Sequence, residues 1–216
     1  MASKTLRITE IFYSLQGETR TTGLPTVFVR LTGCPLRCVW CDTEYAFHGG
    51  KKMSLEDIIS TVESFGAHYV TVSGGEPLAQ PNCIPLLTLL ADKGFEVSLE
   101  TSGAMTLVDV DPRVVKVMDF KAPGSGEVKR NCYENIQYLD HKDQVKFVIA
   151  DRRDYEWSVS KLIEYQLTDK VSDVLFSPVT NHMAADKLAE WILNDQLNVR
   201  FQLQLHRLIW GDKAGV

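Results

Sequence analysis

Three cysteines inside one short loop constrain this 216-residue chain more than any other feature. Cys34, Cys38 and Cys41 stand at C-x3-C-x2-C spacing within Gly33-Cys34-Pro35-Leu36-Arg37-Cys38-Val39-Trp40-Cys41. A loop this short can wrap one centre and present three thiolates to it. A structural zinc site needs four protein ligands, usually two from each of two loops. No fourth Cys or His completes the set locally: His48 is the nearest candidate, and Cys83 and Cys132 stand far along the chain. Three thiolates on a four-iron cluster leave one iron open. A chemically active cluster needs that open iron, whereas electron carriers normally use four cysteines. The competing readings are buried thiols or a zinc site completed from a distance. Cys83 and Cys132, each alone, read as small buried hydrophobes. An odd count of five cysteines, three of them crowded together, argues against a disulfide framework.

The remaining composition is that of a globular chain. Hydrophobic residues make up 44% and charged residues 24%, enough to bury a core without disulfides. A net charge of -5 gives no electrostatic reason to expect nucleic acid as a partner. No run is long and apolar enough to span a membrane. Residues 1–10 carry Lys4 and Arg7 but no apolar core of a secretory signal, so the cytoplasm is the expected compartment.

Apolar β-branched runs alternate with helical patterns along the chain. Strands are predicted at 26–31, 68–72, 95–100, 114–120, 145–149, 174–176 and 199–205. Helices are predicted at 54–65, 84–93, 155–166 and 184–194, with Ser54 as an N-cap and Gly94 as a stop. The charged run Asp151-Arg152-Arg153-Asp154 reads as a solvated loop. The alternation predicts an α/β fold with a mostly parallel sheet. About six repeats fall short of a closed eight-stranded barrel. The expectation is a partial, open, about six-stranded TIM-type barrel, forming a single domain over residues 1–216.

In such folds ligands sit at the C-terminal ends of the parallel strands. The unusual residues fall there: the cysteine loop, Ser73-Gly74-Gly75-Glu76-Pro77, Glu100-Thr101-Ser102, Asp119-Phe120-Lys121 and Ser177-Pro178-Val179. The glycines let backbone approach a ligand, and the Gly75 carbonyl and Glu76 carboxylate can accept hydrogen bonds from an ammonium group. Taken singly, each of these segments also reads as a turn or a strand-end cap.

With the cysteine loop, the Gly-Gly-Glu-Pro turn resembles the radical S-adenosylmethionine (SAM) superfamily. The resemblance implies that the open iron of a 4Fe-4S cluster binds SAM through its amino and carboxylate groups. Reduction then cleaves SAM to a 5′-deoxyadenosyl radical. It further implies SAM contacts at Gly75, Glu76, Glu100, Ser102, Asp119, Phe120, Lys121, Ser177, Pro178 and Val179.

Four more elements narrow the resemblance: Phe12-Tyr13-Ser14-Leu15-Gln16-Gly17-Glu18, Arg30 on the first predicted strand, Cys41-Asp42-Thr43, and Gln204-Leu205-His206-Arg207. Together they look like the 7-carboxy-7-deazaguanine synthase family of queuosine and 7-deazapurine biosynthesis, along essentially the whole chain. That family converts 6-carboxy-5,6,7,8-tetrahydropterin to 7-carboxy-7-deazaguanine with loss of ammonia, using Mg2+, and works as a homodimer. The resemblance implies substrate contacts at Leu15, Gln16, Gly17, Arg30, Ser73 and His206, with Arg207 nearby. It implies an oxygen for Mg2+ from Thr43, and an electron donor of the flavodoxin or ferredoxin type. On residue type alone Arg30 also fits a pair with an acidic neighbour, Thr43 an ordinary turn hydroxyl, and His206 a core or surface histidine. The stretch Thr19-Arg20-Thr21-Thr22-Gly23 departs from the small residue the family often has after Gly-Glu, which bears on the local loop. A glycyl-radical-enzyme activase shares the cysteine spacing but leaves the S-L-Q-G-E, C-D-T and terminal His elements unexplained.

Overall fold

A computed structural model describes residues 4–211, 213 and 215. In chain order the regular elements are β1 (Thr5–Leu15), β2 (Pro25–Leu31), β3 (Lys51–Ser54), α1 (Leu55–Ser64), β4 (Tyr69–Gly74), α2 (Cys83–Asp92), β5 (Glu96–Thr101) and β6 (Val115–Phe120). They continue with β7 (Gln144–Ile149), α3 (Arg152–Glu164), α4 (Leu167–Lys170), β8 (Asp173–Pro178), α5 (Ala185–Asn194), β9 (Arg200–Phe201) and α6 (Leu205–Trp210). Short 3-10 turns fill several connections.

The strands form one sheet in the order β3-β1-β2-β4-β5-β6-β7-β8-β9. From β2 to β9 every neighbouring pair is parallel, and β1 and β3 add antiparallel strands at one edge. The sheet is open rather than closed, as expected for a partial barrel. Parallel strands need crossover connections that cover their faces. The core accordingly draws on strand residues such as Val27, Val29, Val72, Leu99 and Phe147, packed against the helices. Helix α1 shows the mechanism: Leu55, Ile58, Ile59 and Val62 recur at helical spacing and are all buried, and the Ser54 Oγ accepts the Asp57 N–H at 3.0 Å.

Several segments differ from the sequence-based expectation, including the short unpredicted elements β3 and α4. Residues 5–15 form the long strand β1, where no strand was predicted. They pair with β2 on one side and β3 on the other. Asp151–Asp154 is not a solvated loop. Asp151 caps α3, accepting the Asp154 N–H at 2.9 Å, and the buried Asp154 carboxylate takes the Gly124 N–H at 2.7 Å and the Ala150 N–H at 3.2 Å. The charges of a helix's first turn were mistaken for loop composition, because carboxylates are favoured there. The last predicted strand shrinks to Arg200–Phe201, after which the chain turns into α6. The side chain of Gln202 explains the turn: its Nε2 donates to Gly17 O and Leu203 O, drawing the C-terminal segment onto the loop after β1.

At the N-terminal ends of the parallel strands, Lys116 and Asp143 form a buried ion pair at 2.9 Å. Asp143 also accepts the N–H groups of Lys116 and Asp140 at 2.8 and 2.9 Å, so this end of the sheet is closed by a satisfied polar knot.

Candidate active site

The cysteine loop leaves the C-terminal end of β2 and is held on three sides. The Gly33 N–H donates to Ala46 O at 2.7 Å, the Glu76 N–H to Gly33 O at 2.9 Å, and the Val39 N–H to Ser125 O at 3.0 Å. The Arg37 guanidinium curls back to Cys34 O and Leu36 O, over the ring of Phe47. Gly75 is required where the glycine-rich turn meets this loop. A Cβ there would lie 2.3 Å from Gly33 O and 2.6 Å from Cys34 Cβ.

All three cysteines line one cavity of about 510 Å3 at the C-terminal ends of the strands. Burial pushes their thiols above the ordinary range, Cys38 up to about 11. Among the described residues, no group of three His, Cys, Asp or Glu converges on a single metal ion. Cys83 is fully buried, and neither it nor Cys132 lines the cavity. The donor set is therefore three thiols spread along one cavity wall with no fourth ligand. That set fits a three-cysteine 4Fe-4S cluster with one open iron and does not fit a structural zinc ion.

Of the expected SAM contacts, Gly75, Glu100, Ser102, Asp119, Lys121, Ser177, Pro178 and Val179 line this cavity. Glu76 and Phe120 do not. Glu76 is fully buried and its carboxylate is saturated, accepting Leu78 N–H at 3.0 Å, Thr101 Oγ at 2.9 Å, Ser102 N–H at 2.7 Å and the Ser102 hydroxyl. It braces the wall from behind. Phe120 faces the other way because side chains alternate along a strand. Its neighbours Asp119 and Lys121 line the cavity, while its ring packs against Tyr133 and Phe147 in the core. Asp119 pairs with Lys121 at 3.0 Å through one oxygen. Its other oxygen is buried and has no hydrogen-bond partner among the described residues, so it is an acceptor available to a ligand.

The expected substrate contacts Leu15, Gln16, Gly17, Arg30, Ser73 and His206 also line the cavity. The N-terminal and C-terminal motifs meet directly: the Leu205 N–H donates to Gly17 O at 3.1 Å, and a Cβ on Gly17 would lie 2.8 Å from His206 Nδ1. The Gln16 amide ties its loop together, donating to Thr71 Oγ and Glu100 Oε1 and accepting the N–H groups of Gly17 and Glu18. Arg30 makes the pair with an acidic neighbour and also faces the cavity. Its Nε pairs with Glu10 Oε1 at 2.7 Å, Tyr45 Oη donates to the same oxygen at 2.8 Å, and the guanidinium lies between the rings of Phe12 and Tyr45. Neither Nη of Arg30 is hydrogen-bonded among the described residues. Thr43 lines the cavity and donates its hydroxyl proton to Asp42 Oδ1 at 2.8 Å, which leaves its oxygen lone pairs for a hard cation.

Sequence reasoning missed a charged cluster at the centre of the cavity. Lys146, on β7, bonds Glu18. Burial lowers the Lys146 pKa, but Glu18, Asp119 and Glu100 outweigh it and hold the group above the usual lysine range. Burial raises Glu18 and the Lys146 charge more than offsets it, whereas burial and the nearby Glu18 charge push Glu100 up. The available signal was a lysine interrupting the apolar run 145–149 of that strand.

An open parallel sheet carrying a three-thiol loop at its C-terminal edge defines a radical SAM enzyme, and the radical SAM superfamily model matches residues 28–119. The chain is 44% identical to the 7-carboxy-7-deazaguanine synthase of Koribacter versatilis, covering 95% of this chain and 97% of that one. It is 42% identical to the synthase of Chlorobaculum tepidum, covering 97% and 96%. The crystal structure of QueE from Escherichia coli superposes with a TM-score of 0.78 at 25% identity, covering 94% and 95%. The chain belongs to the 7-carboxy-7-deazaguanine synthase family. The activase and zinc-module readings fall away with that relationship. No helix among the described residues is long and apolar enough to cross a membrane.

Proposed function

We propose that the chain converts 6-carboxy-5,6,7,8-tetrahydropterin to 7-carboxy-7-deazaguanine with loss of ammonia. The observation that carries this reading is one cavity whose wall joins three thiols to Arg30 and to a set of polar side chains that includes Gln16, Glu18, Glu100 and Asp119. Cys34, Cys38 and Cys41 would hold the cluster, and Thr43 would give an oxygen to Mg2+. When bound, the cluster and SAM would supply the radical, hydrogen-abstracting chemistry that the conversion requires at C6 of the substrate.

The chain's own residues bind, orient and exclude water. Arg30 has its Nε occupied by Glu10, and its two Nη groups can fork onto the substrate carboxylate. The amino-pyrimidinone edge of a pterin is rich in N–H donors, and the Glu18 and Glu100 carboxylates are acceptors in the same cavity. Lys146 keeps Glu18 ionised for that task. His206, carried by α6, closes over Gly17. The Asp119 oxygen with no partner among the described residues, and the Ser102 hydroxyl, whose proton goes to Glu76, would accept hydrogen bonds from SAM hydroxyl or ammonium groups. A protein electron donor of the flavodoxin or ferredoxin type and a homodimeric assembly belong to the same reading.

The test is anaerobic turnover. Reconstituted protein, SAM, reductant, Mg2+ and the carboxytetrahydropterin should yield 7-carboxy-7-deazaguanine, read by mass spectrometry. If 5′-deoxyadenosine forms without that product, the substrate assignment is wrong. If neither forms in iron-loaded protein, the radical reading is wrong.

A further inference from the structure

Gln204 stands immediately before α6, and no function described so far uses its side chain. That side chain reaches three other segments. Its Nε2 donates to Glu18 Oε1 at 3.0 Å and to Asp42 Oδ2 at 2.9 Å, and its Oε1 accepts the Thr180 hydroxyl at 2.8 Å. Glu18 belongs to the loop after β1, Asp42 directly follows the last cluster cysteine, and Thr180 follows β8. A primary amide suits this place because it offers two donors and an acceptor without charge. The two donors bridge two carboxylates, each of which has a further partner of its own, Lys146 on Glu18 and the Thr43 hydroxyl on Asp42.

The consequence lies one bond further on. Asp42 has two oxygens: Oδ2 is fixed by Gln204, and Oδ1 accepts the proton of the Thr43 hydroxyl at 2.8 Å. That proton is thereby committed to Asp42, so the Thr43 oxygen faces any further partner as a pure acceptor. If Asp42 is released, the hydroxyl is free to rotate.

We propose that Gln204 is a positioning residue for the cation at Thr43: it fixes Asp42, Asp42 fixes the Thr43 hydroxyl, and the same amide ties that chain to the helix carrying His206. The inference rests on Thr43 being a Mg2+ ligand. It makes the cation site and the C-terminal helix a coupled unit, so that the cation is held best when the helix is docked. Partners that orient a metal ligand typically change metal affinity by about 10–100-fold when removed.

The experiment uses Mn2+ as the probe, titrated by electron paramagnetic resonance into reconstituted holoenzyme carrying SAM and the carboxytetrahydropterin. Gln204→Leu keeps the bulk and removes all three hydrogen bonds. It should weaken Mn2+ binding about 10-fold or more, with iron content unchanged. Turnover should then need more Mg2+, with kcat recovering at saturating Mg2+; a merely structural defect would not be rescued by the cation. Thr180→Val loosens the same amide from its far side and should shift Mn2+ binding in the same direction by a smaller factor. If Gln204→Leu fails to fold, Thr180→Val carries the test. Wild-type binding retained in the variants would overturn the role of Gln204. Absence of Mn2+ binding by the wild-type holoenzyme would overturn the Thr43 ligand itself, and the inference with it.

Discussion

The Lys146 ammonium bonds the Glu18 carboxylate across the cavity, joining β7 to the loop after β1 over a separation of 128 residues. Both side chains are mostly buried, at 15% and 18% exposure. Removing one partner of a buried pair leaves the other charge uncompensated. Lys146→Met should therefore lower stability by about 3 kcal/mol in urea unfolding. The double variant with Glu18→Gln should recover most of that loss, because neither charge is then left alone. Simple additivity of the two single losses would argue against the pairing.

The same pair sets a pH dependence. The Glu18 carboxyl is held below its ordinary value by Lys146, against the effect of burial. Its contribution to stability is therefore complete above its unfolded pKa, about 4.3, and is lost as pH falls through the lower folded value. Lys146 is held above its ordinary value, so its contribution is complete below about 10.4 and is lost only at higher pH. Between those limits the pair's contribution is flat. The stability gap between wild type and Lys146→Met should hold constant from about pH 6 to 9 and narrow below about pH 4. A gap that widened on acidification would contradict the assignment.

Arg30→Lys removes the planar fork while keeping the charge. Its kcat/KM for the carboxytetrahydropterin should fall by about 100-fold, mostly through KM, equivalent to about 2.7 kcal/mol. An analogue without the carboxylate should show little difference between wild type and variant. Equal losses for both substrates would mean that Arg30 acts through Glu10 and Tyr45 rather than on the carboxylate.

Two glycines separate the two halves of the cavity. In Gly75→Ala the new methyl meets the backbone of Gly33 and the Cβ of Cys34, so the cluster loop must shift. Iron content and the cluster's visible absorbance should drop. In Gly17→Ala the methyl meets His206 instead. Iron loading should stay at the wild-type level while KM for the pterin rises. Equal iron loading in both variants would contradict this division.

At the opposite end of the sheet, Asp143→Ala strands the buried Lys116 ammonium and two backbone N–H groups. A loss of about 3–5 kcal/mol is expected from thermal or urea unfolding, with KM unchanged at temperatures where the variant stays folded. A changed KM would link this knot to the active site.

Much of the architecture was legible in the chain because parallel strands buried on both faces are apolar almost throughout. The runs at 26–31, 68–72 and 95–100 could be placed within a residue or two of β2, β4 and β5. Strand β1, flanked by β2 and β3, escaped because it lacks the continuous apolar run of the parallel strands and its polar–apolar alternation breaks at Thr9-Glu10, where the register also shifts. Asp151 and Asp154 misled because a capped helix start and a solvated loop share composition. Within the site, local spacing exposed the cysteine loop and the glycine-rich turn. The Phe120 side chain falls outside the cavity because a motif names three consecutive residues, while a strand turns every second one away. Lys146 and Gln204 were given no site role because their partners Glu18 and Asp42 are distant in sequence, and only the fold brings them together.

The central claim is that one cavity holds SAM on its thiol side and the carboxytetrahydropterin against Arg30, close enough for direct hydrogen transfer. The most direct measurement uses substrate deuterated at C6 in an anaerobic turnover, with the label followed by mass spectrometry. The account predicts deuterium in 5′-deoxyadenosine, formed together with 7-carboxy-7-deazaguanine. Unlabelled 5′-deoxyadenosine, with no 7-carboxy-7-deazaguanine released, would contradict it.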